Sequence, residues 1–339
     1  MWNLTVWPIL EHAIKIWASD IHMAEGENIW FRVHWKIWKT SWSPLNSIKA
    51  KQILLELLNE DKQVVQEFLE RKDWDYSYIH TDGTPFRVNI FFKLWKIAFV
   101  LRRIAAEPIS MDDLWLPDGV KKFVKAKQWL ILVTWPTWSW KSTSMISILD
   151  AINKTRWEHV LTIEDPVEFI FKDNKSVFSQ RQIWNDTKSF SASLRAAMRE
   201  DPDIVMVWEM RDKETVEAAM ELAETGHLVI STLHTAGSVQ TLTRLVNFFP
   251  PELQHAVRYK LWDILFWVLS QRLIPKAQWE GRVWIYEIMM MTPWIRNLIR
   301  SWDLNQIDNA IEMGQAEWMI KMKNYADSLS ERWIINEED

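Results

Sequence analysis

Cysteine is absent from the 339 residues, which excludes disulfides and every cysteine-ligated zinc module. No apolar run approaches the ~20 residues of a membrane span, and the N-terminus lacks the basic-then-apolar start of an export signal. Excess positive charge is missing too. The net charge of −5 argues against a basic nucleic-acid binder, or a protein held on anionic lipid by charge alone. These absences predict a cytoplasmic chain with no direct membrane insertion, one that meets a membrane only through a partner. The most informative shortage is glycine. Seven glycines stand beside 25 tryptophans, whereas glycine ordinarily supplies about 7% of a chain, roughly 24 residues at this length.

The inverted ratio has a local counterpart in Val133-Thr-Trp-Pro-Thr-Trp-Ser-Trp-Lys-Ser-Thr143. With glycine at Trp135, Trp138 and Trp140, this run acquires the G-x-x-x-x-G-K-[ST] spacing of a loop that cradles nucleotide phosphates. As spelled, three indoles obstruct backbone N–H groups that must press against phosphate oxygens, some at positive φ. The composition therefore reads as a translation error: most tryptophans are glycines whose TGA codon, glycine in some bacterial lineages, was decoded with the wrong code. The bland alternative is a tryptophan-rich protein. It leaves unexplained why loop, turns and helix ends repair together. Val207-Trp-Glu-Met-Arg-Asp212 gains a glycine at a strand end. Leu114-Trp-Leu-Pro-Asp-Gly119 becomes a turn before a helix, and Ser301-Trp-Asp303 a helix stop of the usual glycine kind.

The length suggests two domains. Residues 1–104 predict a small α+β domain: a helix over 3–16, strands over 20–23 and 30–34, and two helices within 47–69. Strands over 76–80, 86–92 and 97–102 complete it. Residues 105–119, rich in Pro, Ser and Asp, predict a linker. From 120 to 339 strands alternate with helices, the signature of an α/β domain on a mostly parallel sheet. Buried strands are predicted over 130–134, 160–164, 203–207 and 227–232, with helices over 141–154, 189–200 and 213–224. A short strand over 283–289 and further helices follow.

The loop sits between a buried strand and a helix, where its amides and the helix N-terminus make a positive cradle. Trp135, Pro136, Thr137, Trp138, Ser139, Trp140, Lys141, Ser142 and Thr143 would line the phosphates of ATP. Lys141 would reach the β- and γ-phosphates, and Ser142 would hold Mg²⁺. Ile163-Glu-Asp-Pro-Val-Glu168 places three carboxylates at a strand end on the same side of the sheet, where open α/β sheets bind their ligands. A solvated turn is the ordinary reading. A base for the attacking water is the functional one, with Glu164 the first candidate. Asp201 to Glu209 is an apolar strand ending in an acid, the pattern of a second Mg²⁺-side carboxylate, here Glu209. His227 and His234 bracket the last of these strands as candidate nucleotide contacts, His234 as a γ-phosphate sensor. Arg195 and Arg199 lie four apart on one helix face, and Arg87 and Arg102 lie in the first domain. Each is either a solvated surface cation or a group that offsets phosphate charge.

The repaired loop, Ile163 to Glu168, Arg199 to Asp212 and Ser231-Thr-Leu-His-Thr235 resemble the four boxes of the secretion ATPases, which drive type II secretion and type IV pili. Ala18-Ser-Asp-Ile-His22 and Phe86-Arg-Val-Asn-Ile resemble their first domain. Thr292-Pro-Trp-Ile-Arg-Asn-Leu-Ile299 resembles a segment marking the pilus-retraction branch, with tryptophan where alanine is usual. The resemblance implies a PAS-like first domain, a RecA-like P-loop motor domain and a homohexameric ring. It implies an inner-membrane pilus platform protein as partner, met at the inner face of the cytoplasmic membrane. It also implies Glu164 as base, Glu209 at Mg²⁺, His234 as sensor, Arg87 and Arg102 approaching phosphates, and Arg195 and Arg199 near the nucleotide. Pilus-assembly and type II secretion ATPases are the alternatives, although those usually carry extra N-terminal domains and a four-cysteine zinc module. A RecA-like nucleic-acid motor lacks support from charge. A regulator that binds ATP without turnover would not need Glu164, Glu209 and Lys141 together.

Overall fold

The computed structural model describes residues 5–33, 36–104, 107–134, 143–277 and 282–336. The chain divides into two compact units. The first comprises Met1–Glu107 with Asp165–Ile170, the second Pro108–Glu164 with Phe171–Asp339.

In the first unit α1 (Val6–Lys15) precedes β1 (Asp20–Ala24), β2 (Trp30–Val33) and β3 (Lys36–Lys39). Helices α2 (Ser47–Leu57) and α3 (Lys62–Arg71) follow, then β4 (Asp73–Ile79), β5 (Pro85–Lys93) and β6 (Lys96–Arg103). Short polar side chains start both inner helices: Asn46 accepts from the Lys49 amide at 2.9 Å and Asp61 from the Gln63 amide at 2.8 Å. The strands form one antiparallel sheet in the order β3-β2-β1-β6-β5-β4. Its apolar face closes on the three helices through Ile9, Ile53, Phe68, Phe86, Val88 and Phe99, all fully buried.

The second unit begins with α4 (Asp118–Lys121), β7 (Trp129–Thr134), α5 (Thr143–Thr155), β8 (His159–Glu164) and β9 (Val177–Gln182). It continues with α6 (Phe190–Ala197), β10 (Ile204–Val207), α7 (Lys213–Glu224), β11 (Leu228–Leu233), α8 (Ser238–Asn247) and α9 (Pro251–Ile264). Last come β12 (Leu265–Pro275), β13 (Arg282–Met290), α10 (Pro293–Ser301), α11 (Ile307–Met313) and α12 (Met322–Ser330). The sheet order is β13-β12-β7-β11-β10-β8-β9, parallel except for the edge strand β13. β10 and β11 are buried at every residue, as strands covered on both faces must be. The chain leaves β7 for β8 and later inserts β11 beside β7, so the strand order reverses next to the strand that enters the loop. Ligands of open α/β sheets bind at such a reversal.

The sequence predicts the parallel strands 7, 8, 10 and 11 to within a residue or two. It does not predict β3, β9 or β12, and β13 is longer than the short strand expected. Segment 105–119, expected as a linker, is fastened to the second unit from Leu114 on: Leu114 and Leu116 are buried, and the Tyr286 hydroxyl donates to the Leu114 carbonyl at 3.0 Å.

Candidate functional site

Four strand ends meet at the C-terminal edge of the second sheet. Registers align Thr134 of β7 with Leu233 of β11, and Val207 of β10 with both Ser231 of β11 and Ile163 of β8. Side chains just beyond these residues therefore converge on one edge. Glu164 closes β8 and is only 2% exposed. A buried carboxylate needs donors, and Thr162 Oγ1 gives one at 2.7 Å, Gln180 Nε2 another at 3.2 Å. Thr162 lies two residues back, on the same face of the strand. Gln180 pairs in register with Thr162 from β9.

Glu209 follows β10 and is buried as well. Its Oε2 meets Arg211 Nη2 at 2.7 Å, and its Oε1 meets His234 Nε2, one residue past β11, at 3.3 Å. The backbone beneath is pinned by hydroxyls of β11: Ser231 Oγ donates to the Val207 carbonyl at 3.0 Å, and Thr232 Oγ1 donates to the Trp208 carbonyl. Helix α8 starts three residues past Thr235. Its N-terminus is held by the buried Glu287 of β13, which accepts from the Ser238 amide and hydroxyl, each at 2.8 Å. The strand–loop–helix context of the phosphate loop is present, with β7 ending at Thr134 and α5 starting at Thr143. Trp135, Pro136, Thr137, Trp138, Ser139, Trp140, Lys141 and Ser142 lie outside the described residues.

The family model for type II/IV secretion system proteins matches residues 3–330. The chain belongs to that family. It is 38% identical to the type IV pilus retraction ATPase PilT of Pseudomonas aeruginosa, over 98% of this chain and 95% of the relative. It is 36% identical to a twitching motility protein of Neisseria gonorrhoeae, over 98% and 93% of the two chains. A crystal structure of the pilus retraction motor PilT with bound ADP superposes with a TM-score of 0.91 at 39% identity, covering 99% of this chain and 95% of that one. The fold is the α/β architecture of this ATPase family, RecA-like in its second unit.

Within this secretion-family chain, the edge gathers Glu164, Glu209 and His234 as the sequence predicts. His227 is not brought to them. It precedes β11, at the opposite end of the strand from His234, about 20 Å away by the strand rise. Its Nδ1 lies 3.0 Å from Thr225 Oγ1 and 3.1 Å from the Leu222 carbonyl, closing the end of α7. The sequence shows two histidines flanking a strand but not which flank faces the loop. Arg195 lies in the last turn of α6 and Arg199 beyond it. Both are exposed, and their side chains make no ion pair or hydrogen bond among the described residues.

In the first unit Arg87 reaches Asp75 at 2.7 Å and Glu168 at 3.6 Å, while Arg102 reaches Asp20 at 2.8 Å. Both cations are thus engaged by carboxylates of their own unit. Three partners of the site escape the sequence reading. Gln180 stands on an unpredicted strand, Arg211 lies two residues past Glu209, and Glu287 arrives from β13. Residue order carries no trace of the last.

Segment 292–299 begins a helix as its residues dictate. Thr292 Oγ1 accepts from the Ile295 amide at 3.2 Å and Pro293 occupies the first turn. Arg296 turns inward. Its Nη1 donates to the Trp262 carbonyl and to the Asp263 carbonyl at 3.2 Å, capping the end of α9.

Proposed function

We propose that this chain hydrolyses ATP at the sheet edge with Glu164 as the base, and that a homohexameric ring of it withdraws type IV pili. The chain is a pilus-retraction ATPase, as the full-length similarity to retraction motors supports. The observation that carries the chemistry is a pair of buried carboxylates, Glu164 and Glu209, at neighbouring strand ends beside the strand–loop–helix of a phosphate loop. Glu164, held by Thr162 and Gln180, takes the proton of the attacking water. His234, fixed against Glu209, senses the terminal phosphate. Lys141 binds the phosphates. The chemistry of the donor set fits Mg²⁺: a Ser142 hydroxyl and the Glu209 carboxylate would hold the ion, which neutralises charge developing on phosphate oxygens when bound. Arg87, Arg102, Arg195 and Arg199 are the candidate cations that would offset phosphate charge in the assembled ring. Among the described residues no helix is long and apolar enough to cross a membrane. The ring would act from the cytoplasmic face on a membrane-embedded platform protein.

The same reading requires glycine where the loop has tryptophan. Backbone geometry supports it elsewhere. Among the described residues, thirteen non-glycine residues have positive φ, and eight of them are tryptophans: Trp17, Trp95, Trp115, Trp129, Trp184, Trp302, Trp318 and Trp333. Left-handed backbone costs an L-residue about 1–2 kcal/mol, and glycine nothing comparable. Among the described residues, the indole N–H of the buried Trp267 also finds no acceptor. Peptide mass spectrometry on protein from the natural source should find glycine at these positions. TGG codons at 135, 138 and 140 would overturn the reading.

Full-length protein with glycine at the tryptophan positions is expected to turn over ATP with Mg²⁺, to stop on chelation, and to ignore single-stranded DNA. Glu164→Gln should lose roughly 10²- to 10⁴-fold in kcat while still binding ATP in a titration. Near-parental turnover by that variant would transfer the base role to another carboxylate.

A further inference from the structure

The chain leaves the second unit directly after Glu164 and re-enters it at Phe171, and the residues between, Asp165–Ile170, belong to the first unit. There they are fastened by first-unit side chains. Ser77 Oγ donates to the Val167 carbonyl at 2.5 Å, and Arg87 Nη1 lies 3.6 Å from Glu168 Oε1. Glu164 is thus the last residue of its strand and the last of its unit before the excursion. A base so placed needs an anchor on its own sheet, or its carboxylate follows whatever the next six residues follow.

β9 supplies one. Gln180 lies opposite Thr162 in the parallel register of β8 and β9, on the face that Thr162 and Glu164 share. Its amide makes two bonds at once: Nε2 donates to Glu164 Oε1 at 3.2 Å, and Oε1 accepts from the Phe171 amide at 2.8 Å. One side chain therefore holds the last group before the excursion and the first backbone group after it. The task requires a donor and an acceptor on one short planar head, which an amide supplies without depending on protonation. A carboxylate would repel Glu164, and a lysine could not accept from Phe171.

We infer that Gln180 is a positioning residue for hydrolysis, orienting the Glu164 carboxylate and clasping both ends of the Asp165–Ile170 excursion. The inference rests on Glu164 being the base. Two substitutions in the full-length, glycine-containing protein separate its parts. Gln180→Glu keeps the shape and the acceptor for Phe171 but loses the donor to Glu164. Gln180→Leu loses both bonds.

Hydrogen bonds to a charged group predict a fall in kcat of roughly ten- to a hundredfold for each, with KM for ATP near the parent's. Added to Glu164→Gln, either change should leave the residual rate where it was, because the group being positioned is gone. Parental kcat in Gln180→Glu overturns the inference. So does a fall in kcat that tracks a rise in KM and a loss of thermal stability, or a further drop of the same factor in the Glu164→Gln background. If Gln180→Leu fails to fold, Gln180→Glu decides. Near-parental turnover by Glu164→Gln alone instead removes the base assignment beneath it, an outcome readable without any Gln180 variant.

Discussion

Trp95 occupies a position that the chemistry of its side chain cannot explain. It sits with Leu94 in the two-residue turn joining β5 to β6, both residues at positive φ (68° and 48°), and is 96% exposed. Such turns take Asn-Gly or Gly-Gly because both central residues must be left-handed. An indole there gains no packing and bears the strain. Trp95→Gly should therefore stabilise the full chain by about 1 kcal/mol, read as a higher thermal midpoint. Trp302→Gly should gain less although its φ is 59°, since its ring stacks under the Arg258 guanidinium at 4.3 Å and packs against the core. A lowered midpoint for Trp95→Gly would count against glycine as the natural residue. At this scale the sequence is legible where a polar residue closes an apolar strand, as with the strand-end placement of Glu164, Glu209 and His234. It is silent where a role depends on register. Gln180 becomes a partner of Glu164 only once β9 lies beside β8.

Elements show the same division. The parallel strands at the centre of the second sheet are continuous apolar runs bounded by turn residues, so 130–134, 160–164 and 203–207 are readable before any coordinates. β9 (Val-Phe-Ser-Gln-Arg-Gln) is a half-exposed edge strand with no apolar alternation, and β12 continues the helical pattern of α9 without a break. What ends α9 is not local at all. Arg296, thirty-odd residues later, caps the Trp262 and Asp263 carbonyls, and the next residues start β12, the neighbour of β7. Arg296→Ala removes a charged donor from a helix C-terminus and should cost about 1–3 kcal/mol in denaturant unfolding. Arg296→Lys should recover part of it by restoring charge at the dipole. An Ala variant as stable as the parent would show that the cap is inert and that Arg296 matters only to whatever binds from outside.

For the whole molecule, the proposed function assigns hydrolysis and pilus movement to different places. The proposed hydrolytic groups sit at the strand ends, while α10 offers an outward stripe of Trp294, Asn297 and Arg300, spaced three apart on one helix face and all exposed. Asn297 accepts from Arg300 Nη2 at 3.0 Å along that stripe, whereas Arg296 is committed to α9. Coupling through this segment should thus depend on Asn297 and Arg300. The double change Asn297→Ala and Arg300→Ala should leave ATP turnover and ring assembly close to the parent's, because neither residue touches the strand ends. Cells carrying it should keep extended pili that do not withdraw, as cells lacking the gene should. Video microscopy of labelled pili separates the outcomes. Normal withdrawal in the double variant would detach this face of α10 from the motor's output. A gene deletion that abolished pili altogether would place the chain on the assembly side of the same family, with its hydrolytic chemistry unchanged.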